Sequence, residues 1–348
     1  MTSVRFLDMG SLSLGRQLAM AGRRAEYSAT FKSETAMSPV IDPDLLRARL
    51  APFGRCAELP VEAAHYQAFY GLDLPHRHRV RRHLGRLAVH DYEIVAQAWY
   101  PERPVATLLV LHGYYDHMGL YRHVVDWGLR MDFAVLACDL PGHGLSSGPR
   151  ASINEFDEYQ AVLEALLDEA KRLDLPRPWH LLGQSTGAAI VVDHLLHSPP
   201  RPELGRGILL APLVRPCAWR WSRLTYEVVR RFATQIPRRF SDNSGDPDFL
   251  AFIRSKDPLQ PDILPTAWVG ALARWIPRIE GAGPSAHSPL IVQGEADMTV
   301  DWQHNLPVLE SKFAAPEILR LPSARHHLAN EREELRRRYF DFLSERLR

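Results

Sequence analysis

From residue 106 onward the chain alternates two hydrophobic patterns. Residues 107–111 and 133–138 are short, continuous apolar runs, the pattern of strands buried on both faces of a sheet. Between them residues 120–129 have helical spacing. Phe156, Tyr159, Val162, Leu163, Leu166, Leu167 and Ala170 then recur at steps of three and four, one apolar stripe along a helix. Further apolar runs at 179–182, 207–211, 290–293 and 318–321 continue the strand, helix, strand succession. Such a succession predicts an α/β fold: a mainly parallel sheet, right-handed crossovers and helices on both faces. Upstream, residues 84–89 and 94–99 read as an antiparallel pair joined near His90-Asp91-Tyr92-Glu93.

The alternation stops over residues 214–283, and a structureless loop of that length is implausible in a compact domain. The stretch is therefore expected to be a helical cap inserted into a core made of residues 41–213 and 284–348. Trp221, Leu224, Val228, Val229 and Phe232 form one apolar face there, with Arg220, Arg223, Arg230 and Arg231 crowding other positions. We expect a lid helix that packs this face over the core; the alternative is a basic amphipathic helix lying on an anionic membrane surface. Trp268, Leu272, Trp275 and Ile276 supply a second stripe, either lining an acyl channel, where burial gains about 0.8 kcal/mol per methylene, or serving as ordinary core.

The 348 residues, 46% of them hydrophobic, suffice for one large α/β core plus an insertion. Lys and Arg total 42 against 41 Asp and Glu, a net charge of +1, so no global field favours nucleic acid as a partner. Residues 75–83 are dense in His and Arg, but interleaved arginines repel a metal cation, and the run is read as a solvated strand approach. Cys56, Cys138 and Cys217 are odd in number, far apart and without a C-x-x-C pair, which suits a reducing compartment; cytoplasmic location is the expectation. The apolar stretch at 11–21 is interrupted by Arg16 and Gln17, unlike a signal peptide or a spanning helix. Residues 1–40 are expected to form a loose arm, the alternative for those before Met37 being an extension upstream of the native start, because Ser38-Pro39-Val40-Ile41-Asp42-Pro43-Asp44 reads as a helix entry.

The candidate chemistry lies at strand ends. Ser185 sits in Gly183-Gln184-Ser185-Thr186-Gly187, between an apolar run and a helix-like stretch, the context of a nucleophile elbow. Gly294-Glu295-Ala296-Asp297 follows a later run, and Ala324-Arg325-His326-His327 follows the last. In a parallel sheet those ends share one edge, where open α/β sheets place reacting groups. The order nucleophile, acid, base fits Ser185, Asp297 and His326, with Glu295, Asp301 and His327 as competitors; Asp301 fits better as the N-cap of a helix over 302–313. A serine hydroxyl is a poor nucleophile at neutral pH, so an imidazole must take its proton and a carboxylate must fix the imidazole's tautomer.

Several strings together resemble the monoglyceride lipase and lysophospholipase-like (serine aminopeptidase-like) serine hydrolases of the α/β-hydrolase fold. They are His112-Gly113-Tyr114-Tyr115-Asp116-His117, Asp139-Leu140-Pro141-Gly142-His143-Gly144-Leu145-Ser146, Ala324 to Glu331 and, more weakly, Ser255-Lys256-Asp257-Pro258-Leu259. The resemblance spans residues 85–346 and implies Ser185 as nucleophile, Asp297 as acid, His326 as base and the backbone amides of Tyr114 and Thr186 as oxyanion hole. It implies no cofactor or metal, and an apolar carboxylic ester such as a monoacylglycerol or lysophospholipid as substrate. Peptidase or acyltransferase chemistry on the same triad, and a catalytically silent binding fold, are the alternatives. His327, where the family often has Glu, and Tyr115 and Asp116, where it has a small residue and Glu, depart from the pattern. His112 and His143 are expected to shape loops by hydrogen bonding.

Overall fold

The computed structural model describes residues 41–54, 59–74 and 80–347. The expected N-terminal arm with Met37, Cys56 and residues 75–79 of the basic run lie outside them.

Asp42 caps helix α1 (Pro43–Arg49): its carboxylate accepts the amides of Asp44 and Leu45 at 3.1 and 2.9 Å, and Pro43 occupies the first turn, where its missing N–H costs nothing. Helix α2 (Val61–Tyr70) ends at Gly71, which adopts the left-handed conformation a helix stop needs. Strands β1 (Val80–Val89) and β2 (Tyr92–Pro101) then form a hairpin, in register from Val80 opposite Pro101 to Val89 opposite Tyr92. Pairing therefore begins upstream of the apolar residues. Arg81, Arg82 and His83 belong to the strand itself, because ladder bonds come from the backbone and an edge strand leaves charged side chains at the surface.

The regular alternation follows: β3 (Ala106–Leu111), α3 (Arg122–Arg130) entered through a 3-10 turn at Met118–Tyr121, β4 (Phe133–Cys138), α4 (Asp157–Arg172), β5 (Trp179–Gln184), α5 (Thr186–His197) and β6 (Leu204–Leu210). Every residue of β3, β4 and β5 is buried, as continuous apolar runs require. Between β6 and β9 come α6 (Trp219–Val229), β7 (Gln235–Pro237), α7 (Pro247–Ser255), β8 (Ile263–Pro265) and α8 (Thr266–Glu280). The chain closes with β9 (Leu290–Gly294), α9 (Trp302–Lys312), β10 (Glu317–Leu321) and α10 (Glu333–Leu347).

Eight strands form one sheet in the order β1-β2-β4-β3-β5-β6-β9-β10, while β7 and β8 pair as a separate antiparallel ribbon. Pairing is parallel except at β1/β2 and β2/β4. Strand β4 lies on one side of β3 and β5 on the other, so the connections leaving β3 and β5 diverge and open a crevice at their carboxyl ends.

The two apolar stripes of the insertion meet different fates. Trp268, Leu272, Trp275 and Ile276 on α8 are all buried: Trp275 stacks on Phe156 at 4.6 Å and donates Nε1–H to Asp193 at 2.9 Å, and Trp268 donates to the Tyr159 hydroxyl at 3.2 Å. That stripe is core packed on α4. The expectation that α6 turns its apolar face onto the core is overturned: Trp221, Leu224, Val228 and Phe232 are 73%, 59%, 55% and 85% exposed. The helix rests instead on Trp219, Tyr226 and Val229, and Gly270 of α8 makes room for this, since a Cβ there would lie 2.4 Å from the Tyr226 hydroxyl.

Candidate active site

Ser185 occupies the turn between β5 and α5 with φ 54° and ψ −111°, a conformation that non-glycine residues seldom adopt. The flanking glycines make the turn sterically feasible. A Cβ on Gly183 would stand 2.2 Å from the Gly187 backbone, and one on Gly187 would stand 2.1 Å from the Leu111 carbonyl. Strand, turn and helix thus approach too closely for any side chain, and the serine is presented at the crevice.

His326 lies on the loop after β10, with Nε2 2.9 Å from Ser185 Oγ and Nδ1 2.7 Å from Asp297 Oδ2. Asp297 follows β9 and is itself fixed: Oδ1 accepts the amides of Thr299 and Val300 at 2.7 and 3.1 Å, and Oδ2 accepts Gln293 Nε2–H at 3.2 Å. Burial pushes the Asp297 carboxyl up, but the His326 imidazole and the two amides outweigh it and hold the pKa below the ordinary value. Asp297 is therefore a carboxylate that accepts Nδ1–H, which leaves Nε2 to accept the serine hydroxyl's proton. Burial lowers the His326 pKa, yet the Asp297 charge and hydrogen bond, with Asp116 beyond, raise it above the usual imidazole value.

Of the competitors, His327 faces Asp116 rather than Ser185, Asp301 caps α9 by accepting the His304 amide at 3.3 Å, and Glu295, among the described residues, bonds only through its backbone amide to Leu321. The Gly113 backbone abuts Ser185, since a Cβ there would sit 3.4 Å from Ser185 Cβ. The next amide is that of Tyr114. The amide of Thr186 opens α5, where the helix dipole is positive. Among the described residues neither amide donates to a protein group.

The loops around these groups are laced to the sheet. His112 donates Nδ1–H to the Gly113 carbonyl at 2.7 Å and accepts the Leu140 amide on Nε2 at 2.9 Å, so it is neutral, and burial lowers its pKa. His143 bonds the Pro141 carbonyl at 2.8 Å, and burial and nearby His112 push its pKa down to about 3. Both shape loops. Asp139 ties two turns together by accepting the amides of Met118 and Leu145 at 2.7 Å each.

Three features were not legible from local strings. The departures Asp116 and His327 face each other, with His327 Nε2 3.2 Å from Asp116 Oδ2, near enough for an ion pair though not aligned for a hydrogen bond. Tyr121 joins them by donating to Asp116 at 2.9 Å while accepting the Gly113 amide at 2.9 Å. Secondly, Asp257 of the insertion accepts from His117 Nε2 at 2.9 Å and from the Tyr70 hydroxyl at 2.7 Å, a buried pair in which His117 rises above its ordinary pKa. Burial opposes that rise, and the Asp257 charge and hydrogen bond produce it. Thirdly, Glu331 accepts the amides of Arg325 and Gly245 at 3.0 and 2.9 Å, and the Asn243 carbonyl accepts the His327 amide at 2.7 Å. The insertion is thereby tied to the histidine loop. Among the described residues, no group of three or more His, Cys, Asp or Glu side chains is arranged to hold a metal ion.

Residues 102–333 match the family described as serine aminopeptidase, S33. A phospholipase, YtpA, of Bacillus subtilis is 33% identical over 27% of this chain and 36% of its own length. A monoglyceride lipase of Rattus norvegicus is 28% identical over 67% of this chain and 79% of its own. Among solved structures, a soluble variant of the Saccharomyces cerevisiae monoglyceride lipase superposes with a TM-score of 0.66 over 79% of this chain and 98% of that one, at 17% identity, a likeness of fold.

Proposed function

The chain belongs to the serine aminopeptidase S33 family of α/β-hydrolase fold proteins, and from that premise we propose that it is a serine ester hydrolase acting on a lipid-like carboxylic ester, such as a monoacylglycerol or a lysophospholipid. One observation carries the reading: His326 bridges Ser185 and Asp297 at 2.9 and 2.7 Å. Ser185 attacks the ester carbonyl as His326 takes its proton, while Asp297 holds the tautomer and stabilises the imidazolium. The developing oxyanion is received by the amides of Tyr114 and Thr186, each such donor being worth about 2.7–4 kcal/mol in the transition state. His326 returns the proton to the departing alcohol, and water releases the acyl group by the same steps.

The lipid-like substrate is supported by the relatives that act as lipases and by the aromatic wall over the crevice, where the Tyr114 ring stacks on Trp268 at 3.7 Å. The exposed row Trp221, Leu224, Val228 and Phe232, flanked by the exposed Arg220, Arg223, Arg230 and Arg231, supports docking of α6 on an anionic lipid surface from which such a substrate is drawn. Among the described residues no helix is long and apolar enough to cross a membrane. Cys138 and Cys217 are free thiols, which supports a reducing, cytoplasmic setting.

A series of p-nitrophenyl esters of increasing acyl length tests the proposal. Turnover and fluorophosphonate labelling are expected in the wild type and absent in Ser185→Ala. No Ser185-dependent turnover, together with no fluorophosphonate labelling, returns the chain to a binding fold. Faster Ser185-dependent cleavage of aminoacyl anilides than of any ester returns it to a peptidase.

A further inference from the structure

Arg238, in the insertion, packs on the loop that carries Tyr114 and has no counter-ion among the described residues. It follows β7 directly, and its backbone N–H extends the ribbon by donating to the Asp262 carbonyl at 2.8 Å. Its guanidinium carbon lies 4.0 Å from the Tyr115 ring centre and 4.2 Å from that of Phe240, so the plane is held between two rings. Nη1 donates to Gln260 Oε1 at 2.7 Å and to the Pro261 carbonyl at 3.0 Å. Among the described residues Nε and Nη2 donate to nothing, and no carboxylate is within ion-pair distance.

The carboxylates whose charge acts on it are already committed. Asp116 faces His327 and Tyr121, and Asp257 holds His117, Tyr70 and Gln260. Tyr115, on which the guanidinium rests, has a left-handed φ of 70° and sits beside Tyr114, their ring centres 4.1 Å apart. The guanidinium therefore rests on the residue that follows the proposed Tyr114 oxyanion donor.

We propose that Arg238 is a specificity-determining residue that reads a phosphate group on the alcohol portion of the ester; this rests on the ester-hydrolase reading above. Nε–H and the neighbouring Nη2–H form the side-on fork of arginine, whose spacing matches two oxygens of one phosphate. The acyl half of a lipid ester is hydrocarbon and gains by leaving water, so the charge such a fork can meet is carried by the alcohol half. A monoacylglycerol would leave the fork without a partner, whereas a lysophosphatidate-type ester fills it.

The test compares kcat/KM for 1-decanoylglycerol and 1-decanoylglycerol 3-phosphate, both kept monomeric, in wild type, Arg238→Gln and Arg238→Lys. The phosphate-to-neutral ratio is expected to fall roughly tenfold to a hundredfold in Arg238→Gln, through KM, as loss of a charge-assisted hydrogen-bond pair predicts. Arg238→Lys, which keeps the charge and loses the fork, should give an intermediate ratio, and added salt should lower the wild-type ratio. An unchanged ratio in Arg238→Gln, with both esters slowed equally or not at all, makes Arg238 a brace between insertion and oxyanion loop and overturns the proposal alone. Absence of Ser185-dependent turnover of either ester overturns the hydrolase reading with it.

Discussion

The crevice around Ser185 and the outer helix α6 are built from equally regular sequence and end in opposite surroundings. At the crevice the side chains beside Ser185 are held from several directions: Asp297 by His326, Gln293 and two backbone amides, and His326 between Asp297 and Ser185. On α6 the apolar residues recur with helical spacing, yet Trp221 and Val228 stand in solvent. A hydrophobic period identifies a face of a helix and says nothing of what covers it. Position is fixed where bonds close across long separations in the chain, as between His326 and Ser185.

Substitutions can break or sharpen this contrast. The largest effect is expected at the crevice, where Asp297→Asn leaves the geometry in place but stabilises the wrong tautomer, lowering kcat about 10⁴-fold. The pH profile carries the same information. His326 must be neutral to accept the proton, and its pKa is raised, so wild-type kcat/KM should climb through a limb above the ordinary imidazole value, near 6.5. Asp297→Asn removes the charge that raises it and should move the limb to lower pH; a limb that stays in place would detach His326 from Asp297.

Next comes the link between insertion and core. Removing one partner of a buried ion pair costs about 3–5 kcal/mol, so Asp257→Leu should lower the unfolding free energy by that order while leaving His117 unpaired. The sign with pH follows from the two shifts. His117 is raised, so its contribution is complete below about 6.5 and lost as pH rises through its folded value; Asp257 is lowered, so its contribution is complete above about 3.9 and lost as pH falls through its folded value. The stability gap between wild type and Asp257→Leu should therefore be widest in mildly acidic solution and narrow on the alkaline side. A gap that is flat from pH 5 to 9 would mean that the pair is not ionised.

The smallest effect on the fold is expected on α6 and the turn after it, where Phe232 lies. Trp221→Ser combined with Phe232→Ser should change unfolding free energy by less than about 0.5 kcal/mol, as exposed positions do, yet abolish flotation with anionic vesicles. A loss of stability well beyond that figure would show that the face is covered in solution, and the contrast between the two regions would vanish.

What the sequence made legible follows the same division. The runs at 107–111 and 133–138 proved to be buried strands, and Ser185, Asp297 and His326 meet, because each is specified by a short string at a strand end whose meaning does not depend on distant residues. The hairpin was legible only in its apolar half, since Arg81 to His83 pair through backbone groups that leave no hydrophobic trace. Arg238, the Asp116 and His327 couple and the His117 and Asp257 pair were hidden, the last spanning 140 positions, because no local pattern records which loops a folded sheet will bring together. The exposed face of α6 was misjudged because the surface it packs on, α8 with Gly270 under Tyr226, lies elsewhere in the chain.

The insertion grips both loops that flank Ser185: Asp257 holds His117 on the side of the proposed oxyanion hole, and Asn243 and Gly245 hold the histidine side through His327 and Glu331. An engineer who exchanged this segment for one from another hydrolase, seeking a new preference, would also be exchanging the fasteners of the catalytic machinery. A chimera that keeps residues 243–245 and 257 as grafting points would alter which molecules enter and leave the reaction itself intact.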